Sequence, residues 1–289
     1  MRTPECVAFL QYALPRLGLR WAGFRKVRRL VCKRISKRIG ELDLEDLAAY
    51  RDYLESHDSE WAKLEAMCRI PISRFYRDRA VFASLEYDVL PKLSAQAIAS
   101  EQRELRCWSA CCASGEEPYT LAVLWHLRVG PLFPSLAMRI IATDSDLKVL
   151  DRARVGWYSA SSMKEVPESL LCAGFERSGG EYCVREGFRT VEFLQQDIRT
   201  SDPGDSFDLI LCRNAVLTYF APPEQEQVMT RVIARLRPSG ALVIGMHESL
   251  PPSCAGLAPW PGARAVFLRS GAPTPTLACA AQPRASAPA

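Results

Sequence analysis

The sequence predicts an α/β domain built on a doubly wound parallel sheet, preceded by a small all-helical domain. Three observations predict it. Up to about Leu93 the chain offers helical periodicity without a convincing strand. From about Glu101 the short apolar runs LRCWSA, MRIIAT, FDLILC and ALVIGM alternate with helical stretches, the pattern of a parallel sheet with right-handed crossovers. Finally, acidic residues stand at the ends of successive strand-like runs, where open α/β sheets bind ligands.

The helical part opens on a concentrated charge. Eight basic residues, Arg25, Lys26, Arg28, Arg29, Lys33, Arg34, Lys37 and Arg38, lie in one stretch without an acid. Since the net charge is +4, the rest of the chain carries −4. Phe24, Val27, Leu30, Val31, Ile35 and Ile39 are interleaved at helical spacing, so the segment 24–39 reads as one amphipathic basic helix. Its basic faces suit either plain solvation or an acidic partner. LDLEDLAAYRDYLESH follows, with Asp43 as its N-cap, then a helix from Ser59 to Cys68 and another over DRAVFASLEYDVLPKL. The expected organisation is a helical domain over 1–93, a linker at 94–100 and the α/β domain over 101–270. The run GGEYCVREGFRTVEF predicts an inserted β-hairpin, a small β-subdomain near 175–195. The Ala- and Pro-rich stretch 271–289 has too little apolar bulk to pack and is expected to be disordered.

Composition narrows the function classes. No apolar run is long enough to span a membrane, and the N-terminus lacks a signal-peptide core, so a cytoplasmic protein is expected. The eleven cysteines contain no Cys-x-x-Cys and several sit in apolar runs, which predicts reduced, buried thiols. With only three histidines to join Cys107, Cys111 and Cys112, no metal site is expected.

The strand ends carry the chemistry. In WSACCASGEEPYT the small residues Ala110, Cys112, Ala113, Ser114 and Gly115 let backbone pass close to a ligand before a helix begins. No G-x-G-x-x-G and no Walker lysine is present, and Glu116 and Glu117 at the helix entrance would repel a pyrophosphate while suiting a cofactor with cationic groups. Asp144 ends the second strand, where nucleoside-binding folds accept ribose hydroxyls, and Asp146 reads as a helix N-cap. LQQDIR offers Asp197 to an adenine amino group and Ile198 to its ring.

Taken together and in order, FYRD, WSACCASGEEPYT, ATDSD, LQQDI, LCRNAVLTYF and LRPSGALVIG resemble the motifs of the CheR-type protein-glutamate methyltransferases, over about Phe24 to Ser249. The resemblance implies a helical N-terminal domain, a class I (Rossmann-like) methyltransferase domain and a small β-subdomain. The implied cofactor is S-adenosylmethionine, with S-adenosylhomocysteine as product. Carried over by position, Ser73, Ala110, Glu116 or Glu117, Asp144, Asp197, Ile198 and Asn214 would hold the cofactor, and Arg77 and Tyr219 would face the acceptor. Such chemistry needs positioning rather than a base, because the sulfonium methyl is already activated and a glutamate carboxylate already ionised. Arg77 would grip the carboxylate in a planar fork and Tyr219 would fix one oxygen. The sequence departs from the family pattern at Pro71, where an Asn is usual, and by one extra residue between Asn214 and Tyr219. The expected partner is therefore an acidic protein, such as a helical receptor segment, on the basic helix, rather than nucleic acid. Two alternatives stay open: the same cofactor with a small-molecule or other protein acceptor, in which His247 could serve as base, and a non-catalytic cofactor-binding regulator.

Overall fold

The protein is described from a computed structural model covering residues 3–270; the 271–289 segment, expected to be disordered, lies outside the described residues. The chain opens with α1 (Thr3–Arg16), α2 (Trp21–Phe24), α3 (Arg28–Glu41), α4 (Leu47–Ser56) and α5 (Asp58–Cys68). These enclose a core of their own, in which Leu10, Leu14, Val31, Ile35, Tyr50, Leu54 and Leu64 are fully buried. The basic stretch is broken: Phe24 ends α2, a turn follows, and α3 begins at Arg28. Its apolar stripe, Val31, Ile35 and Ile39, faces the core as the spacing predicts. The N-cap of α4 is Asp46, which accepts from the Ala49 N–H at 2.9 Å; Asp43 instead lies in the left-handed turn before it.

One cysteine expectation is corrected here. Cys6 of α1 and Cys32 of α3 are joined in a disulfide, while the other eight among the described residues are free. The two lie 26 residues apart in sequence and on different helices, so neither spacing nor a motif flags the pair.

The linker expected at 94–100 is also corrected. α6 (Arg79–Ser84), a π-turn over Leu85–Val89 and α7 (Leu90–Ala99) form one continuous helical run. Val81, Phe82, Leu85, Val89, Leu90, Leu93 and Ala97 pack with the sheet core and not with the N-terminal helices. The weak periodicity of SAQAIASEQRE reflects small residues, Ser94 and Ala97, fitted closely against the sheet.

The central sheet has the order β6-β2-β1-β7-β8-β10-β9, from β1 (Glu104–Ala110), β2 (Ala137–Asp144), β6 (Val191–Gln195), β7 (Phe207–Cys212), β8 (Leu236–Val243), β9 (Leu257–Pro259) and β10 (Val266–Arg269). β6 through β8 run parallel; β10 is antiparallel to β8 and to β9. All six residues of β7 are buried, as expected of a strand covered on both faces. Alternate residues serve opposite faces. Cys107, Leu209 and Leu211 pack with α7 and α8 (Glu116–Leu124), whereas Trp108, Ile210 and Cys212 pack with α12 (Pro222–Arg235). α9 (Leu147–Val155) follows β2, α10 (Glu168–Gly174) precedes the small sheet's hairpin, and α11 (Val216–Tyr219) follows β7. The chain order reverses between β1 and β7, which makes their carboxyl ends the switch point.

The inserted β element is a three-stranded antiparallel sheet, β3-β5-β4, from β3 (Trp157–Ser159), β4 (Phe175–Ser178) and β5 (Glu181–Val184). EYCV pairs backwards through the Gly179-Gly180 turn with FERS, and VEFLQ belongs to the central sheet beside β2. The expected hairpin therefore joined two strands of different sheets, because alternation marks a strand without naming its partner. Among the described residues no helix is long and apolar enough to cross a membrane, and no cluster of His, Cys, Asp and Glu could hold a metal ion.

Candidate functional site

A pocket whose empty space, open solvent at its mouth included, is about 1190 Å³ lies at the carboxyl ends of β1, β2, β6 and β7 and is lined also by Leu19, Phe24 and residues within 65–77 and 213–220. Its floor is the loop after β1. Cys111, Ala113 and Gly115 adopt left-handed backbone, which turns the chain sharply into α8. Gly115 is required there, since a Cβ would meet Ala153 Cβ at 2.9 Å as well as bear the strain of φ +88°. Ala110 is buried at the strand end and does not line the pocket; Cys111, Cys112 and Ala113 do.

The two glutamates that the sequence could not separate have different environments. Glu117 lines the pocket but is held within the protein: Ser109 Oγ donates to Oε1 at 2.8 Å and Arg213 Nη1 to Oε2 at 2.9 Å. Glu116 does not line the pocket; it is 6% exposed, with Oε2 buried and unpartnered, and its carboxyl is in reach of Ser73, which does line it. Burial pushes its carboxyl above the usual range, against the opposing pull of its own backbone, Arg152 and Ser73. An orphaned carboxylate oxygen one residue behind the pocket wall, next to Ser73, fits a cationic ligand group.

Asp144 accepts from the Ala113 N–H at 2.9 Å and the Asp146 N–H at 3.0 Å, one to each oxygen. Burial raises its carboxyl and these bonds partly oppose it. Its remaining lone pairs are free for hydroxyl donors. Asp146 caps α9, accepting from Lys148 N at 2.9 Å, as expected. Asp197 lines the pocket, with Ile198 buried beside it. Burial pushes the Asp197 carboxyl up, but Arg199 outweighs it and holds the group below the ordinary range. Arg199 Nη2 donates to Asp197 at 2.6 Å and also reaches Glu65. Asp197 is thus engaged before any ligand arrives.

Arg77 and Tyr219 reach the pocket from distant parts of the chain. Arg77 Nη1 donates to the Ile72 carbonyl at 3.1 Å, and Arg77 has no carboxylate partner among the described residues. The neighbouring Asp78 pairs instead with Arg213, at 2.9 Å. Tyr219 is on α11, not at a strand end; burial raises its phenol and Arg77 opposes the shift. Its hydroxyl has no hydrogen bond among the described residues. Asn214 lines the pocket in left-handed backbone, its N–H bonded to Glu248 Oε2 at 2.9 Å. Ser73 lines it as well. None of the three histidines does, and His247 is exposed outside it.

Sequence reasoning missed three residues that hold this arrangement. Arg213, buried, bridges Glu117, Asp78 and the Arg77 carbonyl; Arg199 neutralises Asp197; Glu248 ties Asn214 to Thr218. Arg213 lies inside LCRNAVLTYF, so the motif carried a signal, but Arg199 and Glu248 had none.

Comparison with known proteins adds the following. Residues 72–258 match the family described as CheR methyltransferase, SAM binding domain. A Listeria monocytogenes chemotaxis protein methyltransferase is 36% identical over 195 residues, covering 67% of this chain and 71% of that protein. Chemotaxis protein methyltransferase 2 of Pseudomonas aeruginosa is 32% identical over 227 residues, 76% of this chain and 78% of that one. An uncharacterized 104.1 kDa protein of Rhodobacter capsulatus is 34% identical over 76% of this chain, which spans only 23% of that relative's length. Among solved structures, the Bradyrhizobium japonicum N-methyltransferase NodS, in complex with S-adenosyl-L-homocysteine, aligns at 15% identity with a TM-score of 0.30. That alignment covers 55% of this chain and 63% of that one.

Proposed function

The chain belongs to the CheR methyltransferase family through its S-adenosylmethionine-binding domain, and we propose that it esterifies glutamate carboxylates of a partner protein. One observation carries this reading: Arg77 and Tyr219 line the same pocket with their polar groups largely uncommitted, and no histidine lines it among the described residues. A neutral hydroxyl or amine would need a base there. A carboxylate needs none, only a grip and an orientation.

When bound, S-adenosylmethionine supplies a methyl group already activated for displacement. Glu116, with its orphaned oxygen, would hold the cofactor's ammonium, next to Ser73, and Asp144 its ribose hydroxyls. Ile198 offers an apolar wall for the base, and Asp197, already paired with Arg199, supplies less than the sequence suggests. Asn214 would close the amino-acid end. Arg77 would accept the substrate carboxylate into the part of its fork not used on Ile72, and Tyr219 would donate its hydroxyl to one oxygen, leaving the other to attack.

The partner would dock on α3 and the turn before it. Arg34 and Arg38 are consumed internally, on the Met67 and Arg69 carbonyls and on Glu60. Arg25, Lys26, Arg29 and Lys33 have no acidic partner among the described residues and form the surface proposed for an acidic protein helix. The eight free cysteines among the described residues, set against one disulfide, suit a reducing compartment, and the cytoplasm is the proposed one.

Incubation with methyl-labelled cofactor and cell lysate tests the reading. Label should enter protein and leave as methanol under mild base. Label that is base-stable, or found only in small molecules, would sink it.

A further inference from the structure

Around the acceptor tyrosine, the segment Gly18–Phe24 of the N-terminal helical region behaves as part of the site. α11 is a single turn, so its carbonyls have few partners within the helix. Arg20 supplies partners for two of them: Nε donates to the Thr218 carbonyl at 3.0 Å and Nη2 to that of Leu217, which also accepts from Gln225 Nε2 at 3.2 Å. The backbone joins in. Arg20 N–H donates to the Tyr219 carbonyl at 2.9 Å, Ala221 N–H to the Gly18 carbonyl at 2.7 Å, and Leu19 and Phe220 form an antiparallel bridge. Gly23 sits so close that a Cβ would stand 2.2 Å from the Thr218 oxygen, and the Phe24 ring lies 5.1 Å from that of Tyr219. From the other side, Glu248 accepts the Thr218 hydroxyl at 2.5 Å. Thr218, next to the tyrosine, is therefore clasped by its carbonyl and by its hydroxyl.

We propose that Arg20 is a positioning residue for Tyr219. Its guanidinium fork fixes α11, and with it the phenol, in the acceptor pocket. This rests on the reading that Tyr219 faces the acceptor. It also explains how a loop with an extra residue between Asn214 and Tyr219 can hold the tyrosine in place: the clasp comes from a segment two hundred residues away. Because Phe24 leads directly into Arg25 and α3, a partner bound there would press on the same clasp.

The test compares Arg20→Ala, Arg20→Lys and Gly23→Ala in the full chain. The Tyr219 phenol is followed by NMR of ring-labelled tyrosine across pH, its signal identified by Tyr219→Phe. Affinity for S-adenosylhomocysteine is measured by calorimetry, and turnover with the acceptor protein labelled in lysate. In Arg20→Ala, Tyr219 should titrate closer to free tyrosine, and kcat should fall on the order of 10- to 100-fold, since misplacement of about 1 Å costs that much. Product affinity should hold. Arg20→Lys should lose less, because one ammonium can serve one carbonyl but not the fork. Gly23→Ala should act like Arg20→Ala, and Gly23→Ala and Arg20→Lys carry the test if Arg20→Ala does not fold. Unchanged tyrosine titration in the folded variants would overturn the proposal, as would affinity falling in step with turnover, which marks a general structural role. If no glutamate ester is found at all, the acceptor reading fails, and the tyrosine titration still decides the role of Arg20.

Discussion

Two buried glutamates, one in the helical region and one at the site, are treated in opposite ways. Glu60, 1% exposed, receives Arg38 Nε at 2.8 Å and Nη2 at 2.9 Å, with Lys63 and the Tyr50 hydroxyl completing its shell. The Arg38 bonds hold its carboxyl at about 2. Glu116, scarcely more exposed, keeps one oxygen unpartnered, and burial raises its carboxyl. The N-terminal region spends its buried charge on its own folding, whereas beside the site one buried carboxylate oxygen is left unpartnered, at a cost in stability. Arg38 and Arg77 repeat the contrast among cations: the first is committed to two carboxylates, the second to none.

Breaking the paired side should have the largest effect. Arg38→Ala strips Glu60 of its bidentate partner and should destabilise the protein by about 3 to 5 kcal/mol in urea titrations, with S-adenosylhomocysteine affinity of the folded fraction unchanged. The wild-type pair also sets an acid limit. A depressed carboxyl stabilises above its ordinary value near 4.5 and loses that contribution as pH falls towards about 2, so denaturation midpoints should drop across that window and the drop should shrink in Glu60→Gln. On the unpaired side, Arg77→Lys keeps the charge and loses the fork, so turnover should fall about 100-fold without loss of stability or cofactor binding. Near-wild-type turnover would remove Arg77 from the acceptor. The smallest effect concerns the unpaired surface charges of Arg25, Lys26, Arg29 and Lys33. Added salt should raise KM for the acceptor protein several-fold, by an amount on the order of that seen for other screened surface fields, and leave cofactor affinity nearly unmoved.

What was legible in the sequence follows the same division. Strands buried on both faces, such as FDLILC, announce themselves by composition, and the acids at strand ends by position. VEFLQ was read as a strand but given the wrong partner, and VFLR was not read, because short strands at or next to a sheet edge carry little apolar bulk and their pairing partners are set by topology. SAQAIAS read as a linker because its small residues are selected for close packing, not for helical periodicity. At the site, the acids at strand ends and the Arg77, Asn214 and Tyr219 of the ordered motifs were readable, whereas the pocket-lining Arg199 was not. Nor were residues that clasp backbone: Arg20 acts on the carbonyls of Leu217 and Thr218, and Glu248 on the N–H of Asn214, contacts that leave no complementary residue type in the sequence. Glu116 and Glu117 are adjacent and chemically identical, and partners brought in by the fold, Ser109 and Arg213, tell them apart.

The central claim, that Glu116 holds its charge for a cationic ligand group, is tested most directly by calorimetry of Glu116→Gln with two ligands. S-adenosylhomocysteine carries the amino-acid ammonium; 5′-methylthioadenosine lacks it. A hydrogen bond to a charged group contributes roughly 1.5 to 3 kcal/mol, so the substitution should weaken S-adenosylhomocysteine about 10- to 150-fold and leave methylthioadenosine unaffected. A carboxyl raised on folding stabilises only at low pH and loses that contribution as pH rises through its folded value, so the free glutamine variant should be at least as stable as wild type at neutral pH. Equal weakening of both ligands, or of neither, would contradict the account.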